Sequence, residues 1–149
     1  MAERPKLPEA VTLALKLGFP PTTLALRPGQ AAGHRLAKAV IVKDSEHYMM
    51  VVLPADQHVH LGRLHQQLGH EVGLASEQEL HSLFPDCEQG AIPPLGTAYQ
   101  VDTLVDYSMK GDEDVFFESG DHEHLIKMSG KDFRALMGDV QRFHVSHHL

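Results

Sequence analysis

The sequence has a single cysteine, Cys87, which excludes an internal disulfide and leaves no Cys-x-x-Cys pair for zinc or redox chemistry. No apolar run approaches the ~18 residues that a membrane span needs, and Met1-Ala2-Glu3-Arg4-Pro5 lacks the charged-then-apolar order of a signal peptide, so a cytoplasmic protein is expected. No internal repeat or low-complexity segment stands out. Positive charge is in short supply: the formal net is -7, weak evidence against a general nucleic-acid binder. The deficit is uneven. Residues 1 to 43 hold seven Lys/Arg (Arg4, Lys6, Lys16, Arg27, Arg35, Lys38, Lys43) against Glu3 and Glu9, a net of +5, and the remainder is -12. Such a split suits a basic face for a phosphate backbone on an acidic body, and a solvated surface without a partner accounts for it equally well.

What is present is an ordinary globular composition, with 42% hydrophobic and 22% charged residues over 149 positions. That length is expected to form one domain spanning 1–149, because two domains would each bury too little surface. Pro8, Val11, Ala14, Leu15 and Leu17, stopped by Gly18, predict a helix over about 8–17. Leu36 to Lys43 and His47 to Leu53, separated by Asp44-Ser45-Glu46, predict a hairpin. Leu61 to Leu68, closed by Gly69, reads as a short helix, and Ser76-Glu77-Gln78-Glu79 is a capping box that opens another, ended by Pro85. Strands are expected at Tyr99 to Val105, Asp114 to Glu118 and Glu123 to Met128, followed by a helix from the Ser129 cap through Met137 to Gly138. Short helices mixed with strands predict an α/β (mixed α+β) fold, a mixed sheet flanked by helices.

Two features carry chemistry. In Leu36-Ala37-Lys38-Ala39-Val40-Ile41-Val42 both alternating faces are apolar, so Lys38 must pair, line a cavity, or snorkel from near the strand's start to solvent. In Gln89-Gly90-Ala91-Ile92-Pro93-Pro94-Leu95-Gly96 two prolines stiffen a loop whose glycines permit close backbone approach. Rigid backbone donors suit ester hydrolysis, although an ordinary tight connection also uses such residues.

In this order and at this separation, "LAKAVIV", "MMVVLP", "GAIPPLG", the strand with Asp102 and Asp106, and "FFESGDHEHLIKMSGKDFRALM" resemble the YbaK family of aminoacyl-tRNA deacylases. That family is related to the editing domain inserted in bacterial prolyl-tRNA synthetases. The resemblance runs from about Arg35 to Met137; residues 1–33 match it poorly, and Pro93 stands where relatives often carry a small residue. It implies a YbaK-like curved mixed sheet and a trans-editing hydrolase that deacylates mischarged aminoacyl-tRNA carrying a small amino acid. The family's Gly-x-x-x-Pro loop falls on Gly90 and Pro94 and its site lysine on Lys38, which are therefore the implied catalytic positions. Ala91, Ile92, Pro93, Gly96, Ser119 and Gly120 are the implied substrate-binding positions, with a structural turn as the simpler account of Ser119 and Gly120. In that mechanism the loop positions the aminoacyl carbonyl, Lys38 contacts the terminal nucleotide, and water attacks without a side-chain nucleophile, in keeping with the absence of a nucleophile-elbow motif. No cofactor is implied. The implied partners are the 3′ end of aminoacyl-tRNA and, as a candidate, an aminoacyl-tRNA synthetase, with no membrane and no DNA.

Other residues have blander readings. Asp106 is expected to cap the loop after its strand, and Cys87 has no evident partner base. There are 12 histidines, among them His58, His60, His122, His124 and His147-His148; pairs of them permit zinc geometrically, but no third ligand has a signature and no metal is expected. The alternatives to an enzyme are a non-catalytic aminoacyl-tRNA or nucleotide-binding regulatory module and, lower, a histidine-rich metal-binding protein.

Overall fold

The computed structural model describes Thr12, Gly18 and residues 22–25, 36–88, 92–109, 113–118, 124–138 and 140–148, with the backbone path alone for residues 22–25, 97, 98, 124 and 148. In chain order the strands are β1 (Thr22–Ala25), β2 (Ala37–Lys43), β3 (Tyr48–Pro54), β4 (Gln57–Val59), β5 (Gly73–Leu74), β6 (Asp102–Asp106), β7 (Val115–Glu118), β8 (His124–Met128), β9 (Gln141–Phe143) and β10 (Ser146–His148). The helices are α1 (Leu61–Leu68), α2 (Glu77–Leu83) and α3 (Gly130–Met137).

The β2–β3 hairpin forms where the apolar runs predict it, with Ile41 opposite Met50 and Val40 opposite Val51. Its turn is held by Asp44, whose Oδ1 accepts from the Glu46 N–H at 2.7 Å and the His47 N–H at 2.6 Å, as short acidic side chains do in tight turns. The hairpin is the centre of a mixed sheet ordered β5-β2-β3-β6-β9, in which β3–β6 and β6–β9 run parallel and the other pairs antiparallel. A second sheet, β1-β8-β7, is tied to it by a bridge between Leu36 and Phe116, and β10 pairs with β4.

Both faces of the central sheet are covered, which is why its strands show no polar alternation. Ile41, Met50, Val52 and Val105 pack with Phe84, Phe117, Ile126 and Phe133 on one side. Val42, Val51, Leu53 and Leu104 pack with Leu64 of α1 and with Val145 on the other. The mixed sheet with short helices is thus the fold that the sequence predicts. No helix among the described residues is long and apolar enough to cross a membrane.

Helix boundaries follow their caps. The Ser76 hydroxyl accepts from the Glu79 N–H while the Glu79 carboxylate accepts from the Ser76 N–H, and Ser129 accepts from the Asp132 N–H. One expected strand is shorter than predicted. Gly96–Tyr99 wind into a 3-10 turn and Gln100 takes a left-handed φ of 58°, so β6 starts at Asp102 and not at Tyr99. The predicted helix over 8–17 lies outside the described residues apart from Thr12, which is helical.

Candidate functional site

Lys38 sits on the β2 face that carries Val40 and Val42, opposite Leu53 of β3. It is half-buried, and its Nζ reaches the end of β3, donating to the Ala55 carbonyl at a long 3.4 Å. Burial lowers the Lys38 pKa, and the negative charge of Asp56 opposes that shift. The Ala55–Asp56 turn is itself pinned to β2, because the Ala55 N–H donates to the Leu36 carbonyl at 2.7 Å. The neighbour of Lys38 is therefore Asp56, whose Oδ1 is buried and has no hydrogen-bond partner. Residue patterning misses this acid, because Pro54-Ala55-Asp56 after a strand reads only as a turn.

The loop arrives from α2. Ile92 and Leu95 are buried in the cluster around Phe84, on the sheet face opposite to Val40 and Val42, and Pro93 and Pro94 are buried with them. The Leu95 N–H donates to the Pro93 carbonyl at 2.8 Å, a three-residue turn centred on Pro94, whose fixed φ suits it. The prolines carry no N–H and that of Leu95 is spent, so among the described loop residues the remaining backbone donors are those of Ile92 and Gly96. Gly96 has a steric reason to be glycine: a Cβ there would stand 2.0 Å from Thr103 Oγ1 and 3.0 Å from the Val101 carbonyl oxygen. Among the described residues no hydrogen bond or ion pair joins Lys38 to Ile92–Gly96. Gly90, Ala91, Ser119 and Gly120 lie outside the described residues, as does His122.

Bracing behind the loop is aromatic and polar. Tyr99 packs edge-on against Phe84 with ring centroids 4.7 Å apart, and its hydroxyl lies 3.4 Å from Cys87 Sγ and 3.4 Å from Asp86 Oδ2. Burial pushes the Cys87 thiol up to about 12, against the opposing hydrogen bond from Tyr99, so the group is a thiol and a poor nucleophile at neutral pH. A cavity of about 100 Å³ opens beside Ile92, with Leu80, Phe84 and Cys87 in its wall and Glu77, His81 and Glu88 completing it.

Asp106 is wholly buried. Burial alone would raise its pKa, but hydrogen bonds from the Ser108 hydroxyl, the Val145 N–H and the Ser108 N–H outweigh it and hold the carboxyl below the usual range. The Val145 bond, 2.9 Å long, ties the C-terminal strands to β6, so Asp106 does more than cap its own loop. The histidines His58, His60 and His147 gather where β4 meets β10, His147 lying with ring centroids 5.6 Å from His58 and 5.3 Å from His60. His60 Nδ1 is engaged as the N-cap of α1, accepting from the Arg63 N–H. Among the described residues no three metal-ligating side chains converge on one point.

Similar folds occur in solved structures. A candidate signal transduction protein from Marinobacter aquaeolei VT8 is 20% identical with a TM-score of 0.79, over 95% of this chain and 31% of that one, so this chain spans about a third of its length. The hypothetical protein APE2540 is 18% identical with a TM-score of 0.80, over 93% of this chain and 99% of that one. A candidate trans-editing enzyme for prolyl tRNA synthetase is 19% identical with a TM-score of 0.78, over 94% of this chain and 98% of that one. At such identities the likeness is one of fold. No curated protein sequence matches this chain. The family model for the aminoacyl-tRNA editing domain matches residues 23–136, so the likeness begins at β1, earlier than Arg35, and takes in β2 with Lys38 and the whole glycine-proline loop. With three quarters of its length so matched, this chain belongs to the aminoacyl-tRNA editing domain family.

Proposed function

We propose that this chain acts as a single domain, in the cytoplasm, as a trans-editing hydrolase that removes a small, wrongly attached amino acid from the 3′ end of tRNA. The observation that carries the reading is the family match, which spans both Lys38 and the loop. The chemistry is water addition to the aminoacyl carbonyl. An oxygen–carbon bond forms, the tetrahedral intermediate collapses with cleavage of the ester bond to the ribose, and the proton from water ends on the ribose oxygen. The N–H groups of Gly90, Ala91, Ile92 and Gly96 are the loop's donors for the developing oxyanion, since the prolines have none and that of Leu95 is already used. Gly90 and Pro94 hold the loop in shape, while Ala91, Ile92, Pro93 and Gly96 shape its substrate side. Ser119 and Gly120 border the aminoacyl group. Lys38 supplies positive charge to the terminal nucleotide. The cavity of about 100 Å³ beside Ile92 suits a small side chain.

Incubation with a panel of aminoacyl-tRNAs is the test. Release of one or more small amino acids is expected, and Lys38→Ala is expected to lower kcat/KM by about 10²-fold or more, the scale for loss of a preorganised electrostatic contact. Retained tRNA binding without release from any member would establish the alternative, a non-catalytic binding module. Unchanged activity in Lys38→Ala would remove the lysine from the site. A synthetase partner would show as co-elution with the cognate enzyme of the edited tRNA.

A further inference from the structure

The histidines where β4 meets β10 form a cluster that nothing so far uses. His58 and His147 stand directly opposite each other across the two strands with ring centroids 5.6 Å apart, and His60, the N-cap of α1, brings its ring to 5.3 Å from that of His147. Arg63, in the first turn of α1, is held against β10, its guanidinium donating to the Ser146 carbonyl at 3.0 Å. His58, Arg63 and His147 are exposed and His60 is half-buried, so the cluster is open to a ligand. Among the described residues no carboxylate pairs with any of the four, and the first turn of α1 carries no acid. In a chain with a net charge of -7, a guanidinium and three imidazoles gathered without an acid form an uncompensated patch. The electrostatics agree: lost hydration, then the charges of His60, His58 and Arg63, lower the His147 pKa, and no group raises it.

Clustered histidines suit either a metal ion or an anion. The Arg63 guanidinium repels a cation, His60 Nδ1 already accepts from the Arg63 N–H at 3.1 Å, and among the described residues no three ligating side chains converge. An anion instead supplies the missing negative charge and favours the protonated imidazoles. Placement selects the anion. α1 packs on the sheet face that carries Val40 and Lys38, and His58 follows by three positions the Ala55 whose carbonyl Lys38 reaches, a span of at most about 11 Å. We infer that His58, His60, Arg63 and His147 bind backbone phosphates of the tRNA acceptor end, upstream of the terminal nucleotide at Lys38. The imidazoles take up protons as the phosphates bind. This rests on the deacylase reading and adds to it the path of the RNA strand and a pH dependence of its binding.

The test compares calorimetric Kd values for an RNA minihelix with a single-stranded 3′ end and for a non-hydrolysable aminoacyl-adenosine amide, which has no upstream phosphates. Each is measured over a range of salt at about pH 5.5 and about pH 7.5, on either side of the ordinary histidine value. The wild type is expected to bind the minihelix more tightly at the lower pH. The double variant His58→Gln, His147→Gln, which leaves the His60 cap in place, is expected to lose about 5- to 10-fold there, the worth of two exposed ionic contacts. Its dependence of log Kd on log salt should be shallower by about 1.5, since each neutralised phosphate contributes about 0.7 to 0.9. Arg63→Gln is expected to weaken the minihelix at both pH values, and the adenosine amide should bind wild type and variants alike. Urea unfolding checks that each variant is folded, and Arg63→Gln carries the comparison should the histidine variant fail to fold. Unchanged minihelix affinity and salt slope in both variants overturn the inference, while deacylation by the wild type upholds the deacylase reading. Equal weakening toward the amide also overturns it, as does inorganic phosphate that binds the wild type as tightly as the minihelix does. A wild type that binds neither probe and hydrolyses no aminoacyl-tRNA overturns both readings.

Discussion

At the scale of single residues, the glycine-proline loop is as much a packing unit as a ligand surface. Leu95 and Ile92 are anchored beside Phe84, Pro94 centres a hydrogen-bonded turn, and Gly96 leaves no room for a side chain. Gly96→Ala is therefore expected to destabilise the fold by about 2 kcal/mol, within the range for overpacking, measured as a lower urea midpoint. Adding Thr103→Ala should restore part of that loss, because Thr103 Oγ1 is the atom nearest to the new methyl. Lys38 was singled out by its apolar strand. Asp56 was not, since the burial of one of its oxygens depends on how the β3–β4 turn lies against β2.

Among elements, α2 is joined to the central hairpin by a polar cluster. Lys43 Nζ and the Tyr48 hydroxyl both donate to the Glu79 carboxylate, the first at 2.7 Å and the second at 2.5 Å, and Glu79 also closes the capping box with Ser76. The hydrogen bonds from Lys43, then Tyr48, then the Ser76 N–H, hold the Glu79 pKa down from its usual 4.5 to about 2. A carboxylate whose folded pKa is depressed contributes stability that is fully present above the unfolded value and is lost as pH falls toward the folded one. Stability should accordingly fall between pH 4.5 and about 2, and Glu79→Gln should flatten that part of the urea-midpoint profile while leaving its shape above pH 5 unchanged. A wild-type slope persisting in the variant would show that other carboxylates dominate the acid limb. Both helix caps were legible in the sequence because capping is local: Ser76 and Ser129 bond N–H groups three residues away. The short strands β4, β5, β9 and β10 were not, since two or three residues carry no usable period and their pairing partners are distant in sequence.

On the scale of the whole molecule, Asp106 is the acid that closes the structure. It sits at the end of β6, wholly buried, and receives hydrogen bonds from the start of the following turn and from Val145, 39 residues later. Asp106→Ala leaves several buried donors without an acceptor and is expected to cost about 3 kcal/mol in urea unfolding, with Asp106→Asn milder because it keeps one acceptor oxygen. The same closure lays β9 beside β6 and β10 beside β4.

By itself the sequence determined the hairpin around Lys38, the three described helices with the serine caps of two of them, and the family to which the chain belongs. All of these rest on short-range periodicity, capping or a motif order readable in one pass. The tertiary structure alone decided which face of the central sheet each residue serves, that Lys38 reaches the Ala55 carbonyl while Ile92 and Leu95 pack on the other side, and that Asp106 binds the C-terminal strands. Those outcomes depend on contacts between residues far apart in the chain, and such contacts are set by how the sheets pack and leave no local pattern.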